Sequence, residues 1–166
     1  MRQELTFAYD YGQVYLYDAG VEPGDVIAAL DDANAARLTV GVDGGLVDLL
    51  MPMQWNFDAP LVVELLDAAP ALDLEGWEHV VEFPLALPTG RLRLEASGGG
   101  DTKDVPVPGS AYRARWSGRG FPAPGDYVPG DTQIDRYRIQ LWPEEAVQAV
   151  VELRRWPGYD LLAGED

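Results

Sequence analysis

The chain has 166 residues, 47% hydrophobic and 24% charged, which suits one folded domain with a real core and excludes disorder along its whole length. It contains no cysteine, so disulfides, zinc–thiolate sites and thiol nucleophiles are excluded. A formal charge of −16 opposes nucleic acid and anionic membranes and directs the chain toward a basic protein partner.

Strand patterns dominate from the first residues. In ELTFAYDYG, Leu5, Phe7, Tyr9 and Tyr11 recur at every second position, as a half-buried strand requires. Gly12-Gln13 then leads into VYLYD, so residues 4–18 read as an opening hairpin. Pro23-Gly24 marks a turn, and Asp25 is placed to cap a short helix over 25–37, in which Val26, Ala29, Leu30 and Ala33 follow helical spacing. LTVGVDGGLVDLL reads as a second hairpin turning at Asp43-Gly44-Gly45. PLVVELLDAAP is apolar and too short for a helix, so a strand is expected. WEHVVEFPLAL and GRLRLEA both alternate, and Gly98-Gly99-Gly100 forms a turn after them.

AYRARW and DRYRIQLW are two further strands, separated by a Gly- and Pro-rich loop from Ser117 to about Asp131. Pro-Gly-Asp occurs three times, ending at Asp25, Asp126 and Asp131, each a turn with proline and glycine at its corners. The stretch 143–156 fits helix or strand. Pro143 suits a first helical position, yet AVVELRRW is β-branched, and a helical turn after Pro143 leading into a strand is the reading adopted. The expected fold is therefore all-β and mainly antiparallel, a β-sandwich forming a single domain over 1–166. Trp77, Val81, Phe83, Leu92, Leu94, Tyr112, Ile139 and Leu141 are assigned to its core. Strand order cannot be read.

No motif dictates a reaction. His79 is the sole histidine, and its neighbour Glu78 points to the opposite side of a strand, so it cannot orient the ring. Ser97, Ser110 and Ser117 lack a base and the setting of a nucleophile elbow. The glycine run is not followed by the Lys-Ser/Thr of a phosphate loop. Asp31-Asp32 and the pair Asp43 and Asp48 lack the alternating oxygen ligands of a calcium loop. No catalytic residue, metal site or cofactor is expected. The N-terminal residues show no signal-peptide pattern, and no apolar run approaches the ~18 residues of a membrane span, so a cytoplasmic location is expected.

Three stretches carry a resemblance: AAPALDLEGWEHVVEFPLALPTGRLRLEA, VPVPGSAYRARWSGRG and DRYRIQLWP. They are similar to a family of small bacterial β-sandwich proteins, common in actinobacteria and functionally unassigned, and more distantly to competence protein J, an inhibitor of a nuclease. The likeness covers the last 90 or so residues well and the first 65 in outline. It implies a β-sandwich and an inhibitor or immunity-type role, and it supplies no catalytic residues.

Charge is unevenly divided along the chain. Residues 1–90 hold 16 acids against 2 arginines, while residues 91–166 hold 10 of the 12 basic residues. Alternation places Arg91, Arg93, Arg113, Arg115, Arg136 and Arg138 on the non-core faces of three strands taken as successive in one sheet. Glu78, Glu82 and Glu95 are placed to neutralise them. A self-neutralised outer face is the first reading of this pattern. The rival reading makes it a docking site for a carboxylate-bearing partner, with Arg115, Trp116 and Arg119 at its loop edge, because Arg and Trp are enriched at interface hot spots. A separate candidate surface is the acidic set Asp31, Asp32, Asp43 and Asp48, which would meet a basic protein such as a nuclease. The alternative is a small-ligand or carbohydrate-binding module using Trp116 and the 117–131 loop.

Overall fold

The computed structural model describes residues 1–123 and 133–162. Its elements run β1 (Arg2–Tyr9), β2 (Gln13–Asp18), α1 (Val26–Ala36), β3 (Val40–Asp43), β4 (Leu46–Leu50), β5 (Asn56–Leu65), β6 (His79–Leu87), β7 (Arg91–Ala96), β8 (Thr102–Pro106), β9 (Ser110–Arg119), β10 (Arg136–Pro143), β11 (Val151–Arg154) and α2 (Gly158–Leu162). The strands form a six-stranded sheet, β1-β5-β10-β9-β6-β11, and a five-stranded sheet, β3-β4-β2-β7-β8. All pairings are antiparallel except β5 with β10.

The inner faces meet as strand alternation requires. Leu61, Val63, Val81, Phe83, Tyr112, Ile139 and Leu141 from the larger sheet pack in one cluster with Val14, Leu16, Val47, Leu49, Leu92 and Leu94 from the smaller. Seven of the eight assigned core residues are thus buried. Trp77 precedes β6 and is only half-buried.

A smaller layer lies outside the five-stranded sheet, where α1 covers Tyr17 and Leu46. Asp25 caps this helix as expected, its Oδ1 accepting from the amides of Ile27 (2.8 Å) and Ala28 (3.3 Å). The helix rests on the sheet through Ala29 and Ala33, so its backbone comes very close. A Cβ on Gly41 would stand 1.7 Å from the Ala29 carbonyl oxygen, which restricts position 41 to glycine.

Several expectations are corrected. β1 and β2 are not a hairpin: each has one apolar face, and the two faces oppose each other across the core instead of lying side by side. The turn at Tyr11-Gly12, both at positive φ, carries the chain between the sheets. The hairpin at Gly44-Gly45 is present, joining β3 to β4. β8 is a strand that TKDVP does not announce, because an edge strand with only Val105 buried has no alternation to detect. No helical turn follows Pro143. Residues 144–150 are irregular, Val147 is 91% exposed, and the Gln148 and Ala149 carbonyls turn to the Arg113 guanidinium (3.3 and 2.8 Å). The short helix falls later, after Pro157.

Candidate functional site

The arginines do not share one face. β7, which carries Arg91 and Arg93, belongs to the five-stranded sheet, whereas β9 and β10 are neighbours in the other. Arg91 and Arg93 both bind Asp104 on β8, at 2.7–2.8 Å, and this holds the Asp104 carboxyl down at about pKa 2, Arg93 contributing most. Glu95 takes the Tyr17 hydroxyl instead. Arg93→Ala is expected to lower stability by no more than about 1 kcal/mol, because exposed pairs are weak. A larger loss in urea titration would show that the trio is shielded from water.

On the outer face of the six-stranded sheet the charges are enclosed. Arg113 and Arg115 are only 3% and 4% exposed. Glu82, across from Arg115 on β6, accepts from its Nε at 2.8 Å and from Arg113 Nε at 3.4 Å. Arg115 also donates to the Ala71 and Pro70 carbonyls (3.1 and 3.4 Å) and lies over the Trp142 ring. These two side chains therefore staple the segments around 70–71 and 148–149 onto the sheet. Trp77 sits beneath the guanidiniums of Arg119 and Arg138, 5.2 and 4.6 Å from its ring centre. Glu78 accepts the Gly120 and Phe121 amides at 2.5 and 2.9 Å, so of the three acids only Glu82 pairs with arginines.

The expected docking edge is thus dispersed. Arg115 is a buried staple and Trp116 faces inward, stacked on Tyr137 at 5.0 Å, leaving Arg119 exposed. Trp116 faces inward because it shares the strand phase of Tyr112 and Ala114, both core residues. The small-ligand reading loses its aromatic platform with it, and residues 124–132 of its loop lie outside the described residues.

The acidic candidates behave differently. Asp31 and Asp32 are exposed on α1, and Asp32 accepts the Val42 amide at 3.0 Å. Asp43 accepts the Asp25 amide at 2.8 Å, which ties the β3–β4 turn to the helix start. These three acids share one edge of the five-stranded sheet with Glu22 and Asp25. The same stretch of chain carries exposed apolar side chains: Val21, Val26 and Ile27, the last 67% exposed. Asp48 is not among them. It is fully buried, with Oδ2 accepting from Gln13 Nε2 at 2.8 Å, and burial pushes its carboxyl up to about pKa 6. It lies on the same strand face as Leu46, under the helix layer, where no partner reaches it. Ile27 was legible only as an apolar residue off the stripe of Ala29 and Ala33.

Two buried polar networks escaped the sequence reading. Asp135, fully buried, accepts the hydroxyls of Tyr9 (2.7 Å) and Tyr137 (2.6 Å) and the amide of Asn56 (2.8 Å), fixing the start of β10 against β1 and β5. His79 lies 2.9 Å from Thr39 Oγ1, and Thr39 donates through both its amide and its hydroxyl to Glu152 (2.8 Å each). Arg155 completes the set on Glu152. Glu152 on β11 thereby clasps the two sheets, and burial holds His79 neutral, down to about pKa 4. No cluster among the described residues groups three side chains to hold a metal ion, and none of their helices is long and apolar enough to cross a membrane.

No protein-family model matches the sequence, and no curated protein matches it. Two solved structures share the fold. ComJ from Bacillus subtilis, an inhibitor of the DNA-degrading activity of NucA, superposes with a TM-score of 0.60 at 16% identity, over 87% of this chain and 96% of its own. Crocagin biosynthetic gene J superposes with a TM-score of 0.57 at 16% identity, over 87% of this chain and 98% of its own.

Proposed function

We propose that the protein is a non-enzymatic binding protein of the inhibitor or immunity type, whose partner is a basic protein such as a nuclease. The observation that carries this reading is the edge formed by α1 and the β3–β4 turn. There, exposed Val21, Val26 and Ile27 alternate along the chain with the exposed acids Glu22, Asp25, Asp31 and Asp32, with Asp43 bonded to the Asp25 amide, on a chain of charge −16. Exposed apolar side chains interspersed with charged ones suit a protein interface, whose contacts combine both. The fold likeness to a nuclease inhibitor supports the same direction.

Capture on immobilised protein, eluted in salt steps, supplies the partner, and surface plasmon resonance then separates the roles of the residues. The variant carrying Asp31→Asn, Asp32→Asn and Asp43→Asn is expected to associate about tenfold or more slowly at low salt. It should be nearly unchanged at high salt, where steering is already screened. Ile27→Ala is expected to hasten dissociation instead, because a buried apolar anchor acts on the off-rate. Equal association rates for the triple variant and the parent at every salt concentration would refute this face as the docking surface.

A further inference from the structure

A cleft of about 780 Å³ opens where the C-terminal end of α1 meets the C-terminal segment, and the inhibitor reading makes no use of it. Its polar lining comes from separated parts of the chain: Asn34, Arg37 and Thr39 on one wall, Glu152, Arg155 and Asp160 on the other. The volume falls within the range of small-molecule sites, which have a few convergent polar groups on a preformed wall. We infer that this cleft binds a small molecule through an oxyanion head group, a carboxylate or a phosphate.

The two arginines carry the argument. Arg155 is aimed in advance: its Nε is held by Asp160 (2.9 Å) and its Nη1 by Glu152 (2.7 Å), which fixes the plane of the guanidinium in the wall. Its Nη2 has no hydrogen-bond partner among the described residues. Arg37 occupies the left-handed position that ends α1, at φ 56°, with its amide donating to the Asn34 carbonyl. Glycine ordinarily fills that position, since any β-carbon there is strained. Here an arginine stands in it at the mouth of a cleft, in a stretch of 90 residues that holds only one other basic residue, Arg2. Among the described residues no carboxylate pairs with the Arg37 side chain, so its fork of donors is available. The wall also stays in place without ligand, because the Thr39–Glu152 clasp and the Tyr159 hydroxyl, donating to the Leu50 carbonyl at 2.6 Å, join its two sides. Planar bidentate capture of an oxyanion is what the unpaired guanidinium of Arg37 can serve, with Arg155 adding a single Nη2 donor beside it.

The test titrates isotopically labelled full-length protein with succinate and, separately, with inorganic phosphate, at constant ionic strength. NMR follows the backbone amides of Arg37–Thr39 and the Nε–H signals of all the arginines. The expected result is saturable shifts confined to Arg37, Leu38, Thr39 and Arg155. The probe that saturates identifies the head group. Arg37→Gly should weaken binding about tenfold or more. It also relieves the left-handed strain, so the variant should be at least as stable as the parent, and lost binding cannot be ascribed to lost folding. Arg136→Ala, on the exposed start of β10, should leave the affinity unchanged. Linear shifts spread over all the exposed arginines, or saturable binding that Arg37→Gly does not weaken, would overturn the assignment.

Discussion

Glu82→Ala is expected to destabilise the protein by about 3–5 kcal/mol, the loss that follows when one partner of a buried ion pair is removed. Arg113 and Arg115 are 3% and 4% exposed, and Glu82 is the acid that bonds both. A guanidinium cannot shed its proton to escape burial. Without Glu82, two positive charges two residues apart on β9 would be left with the carbonyls of residues 70, 71, 148 and 149 and the face of Trp142. Glu82→Gln retains the shape and one acceptor, and should cost less than Glu82→Ala. Urea denaturation checks both. A loss below about 1 kcal/mol for Glu82→Ala would mean that water reaches the guanidiniums and that the crossing segments do not enclose them.

Asp48→Asn is expected to raise stability at pH 7 by about 1–3 kcal/mol, and the gain should vanish below about pH 4. The Asp48 carboxyl is raised by burial from 3.8 to about 6, although the Gln13 hydrogen bond works against the shift. The folded state therefore holds the proton more tightly than the unfolded state does. Its contribution is fully present below pH 3.8 and is lost as pH rises through 6. Asparagine imitates the protonated form at every pH. His79 has the opposite sign: burial lowers it from 6.5 to about 4, so its contribution is present above pH 6.5 and is lost as pH falls through 4. The two slopes oppose each other between pH 4 and 6, and the parent should be nearly insensitive to pH there as far as these groups decide. Asp48→Asn should expose the histidine's slope, with stability falling as acid is added. Urea midpoints at pH 4, 5, 6 and 7 test this, and a gain of equal size at all four would show that Asp48 is ionised without penalty in the folded protein.

Much of the strand content was legible, because alternation is a local property: Val81 and Phe83 on β6, Leu92 and Leu94 on β7, and Ile139 and Leu141 on β10 all face the core. Pairing is not local, and alternation carries no trace of it. Leu5, Phe7 and Val14, Leu16 look alike whether their strands lie side by side or face to face, so the pattern cannot distinguish a β1–β2 hairpin from strands in opposite sheets, nor place β7 in the sheet opposite β9. The same limit governed the site. Arg115 alternates away from the core, but nothing in RARW announces that residues 70 and 71 will close over it. Trp116 was legible as a core residue from its own phase, and only the glycines after it suggested exposure. Asp48 reads like Asp43 in LTVGVDGGLVDLL until α1 is placed over one of them.

The parallel pairing of β5 with β10 has a consequence for synthesis. β5 ends at Leu65, and the strand that fills its second edge begins at Arg136, so the middle of the larger sheet cannot close until some 70 further residues have been made. The clasp from Thr39 waits longer still, for Glu152. Until then the second edge of β5 stands unpaired on a growing chain, the circumstance in which nascent chains aggregate. The segment already made is the one bearing 16 acids and 2 arginines, and like charge keeps unfinished chains apart. Ribosome-bound chains stopped at residue 120 are therefore expected to be protease-sensitive yet soluble. Neutralising Asp31, Asp32 and Asp43 should make such arrested chains sediment, while the full-length protein, its sheets closed, stays in solution.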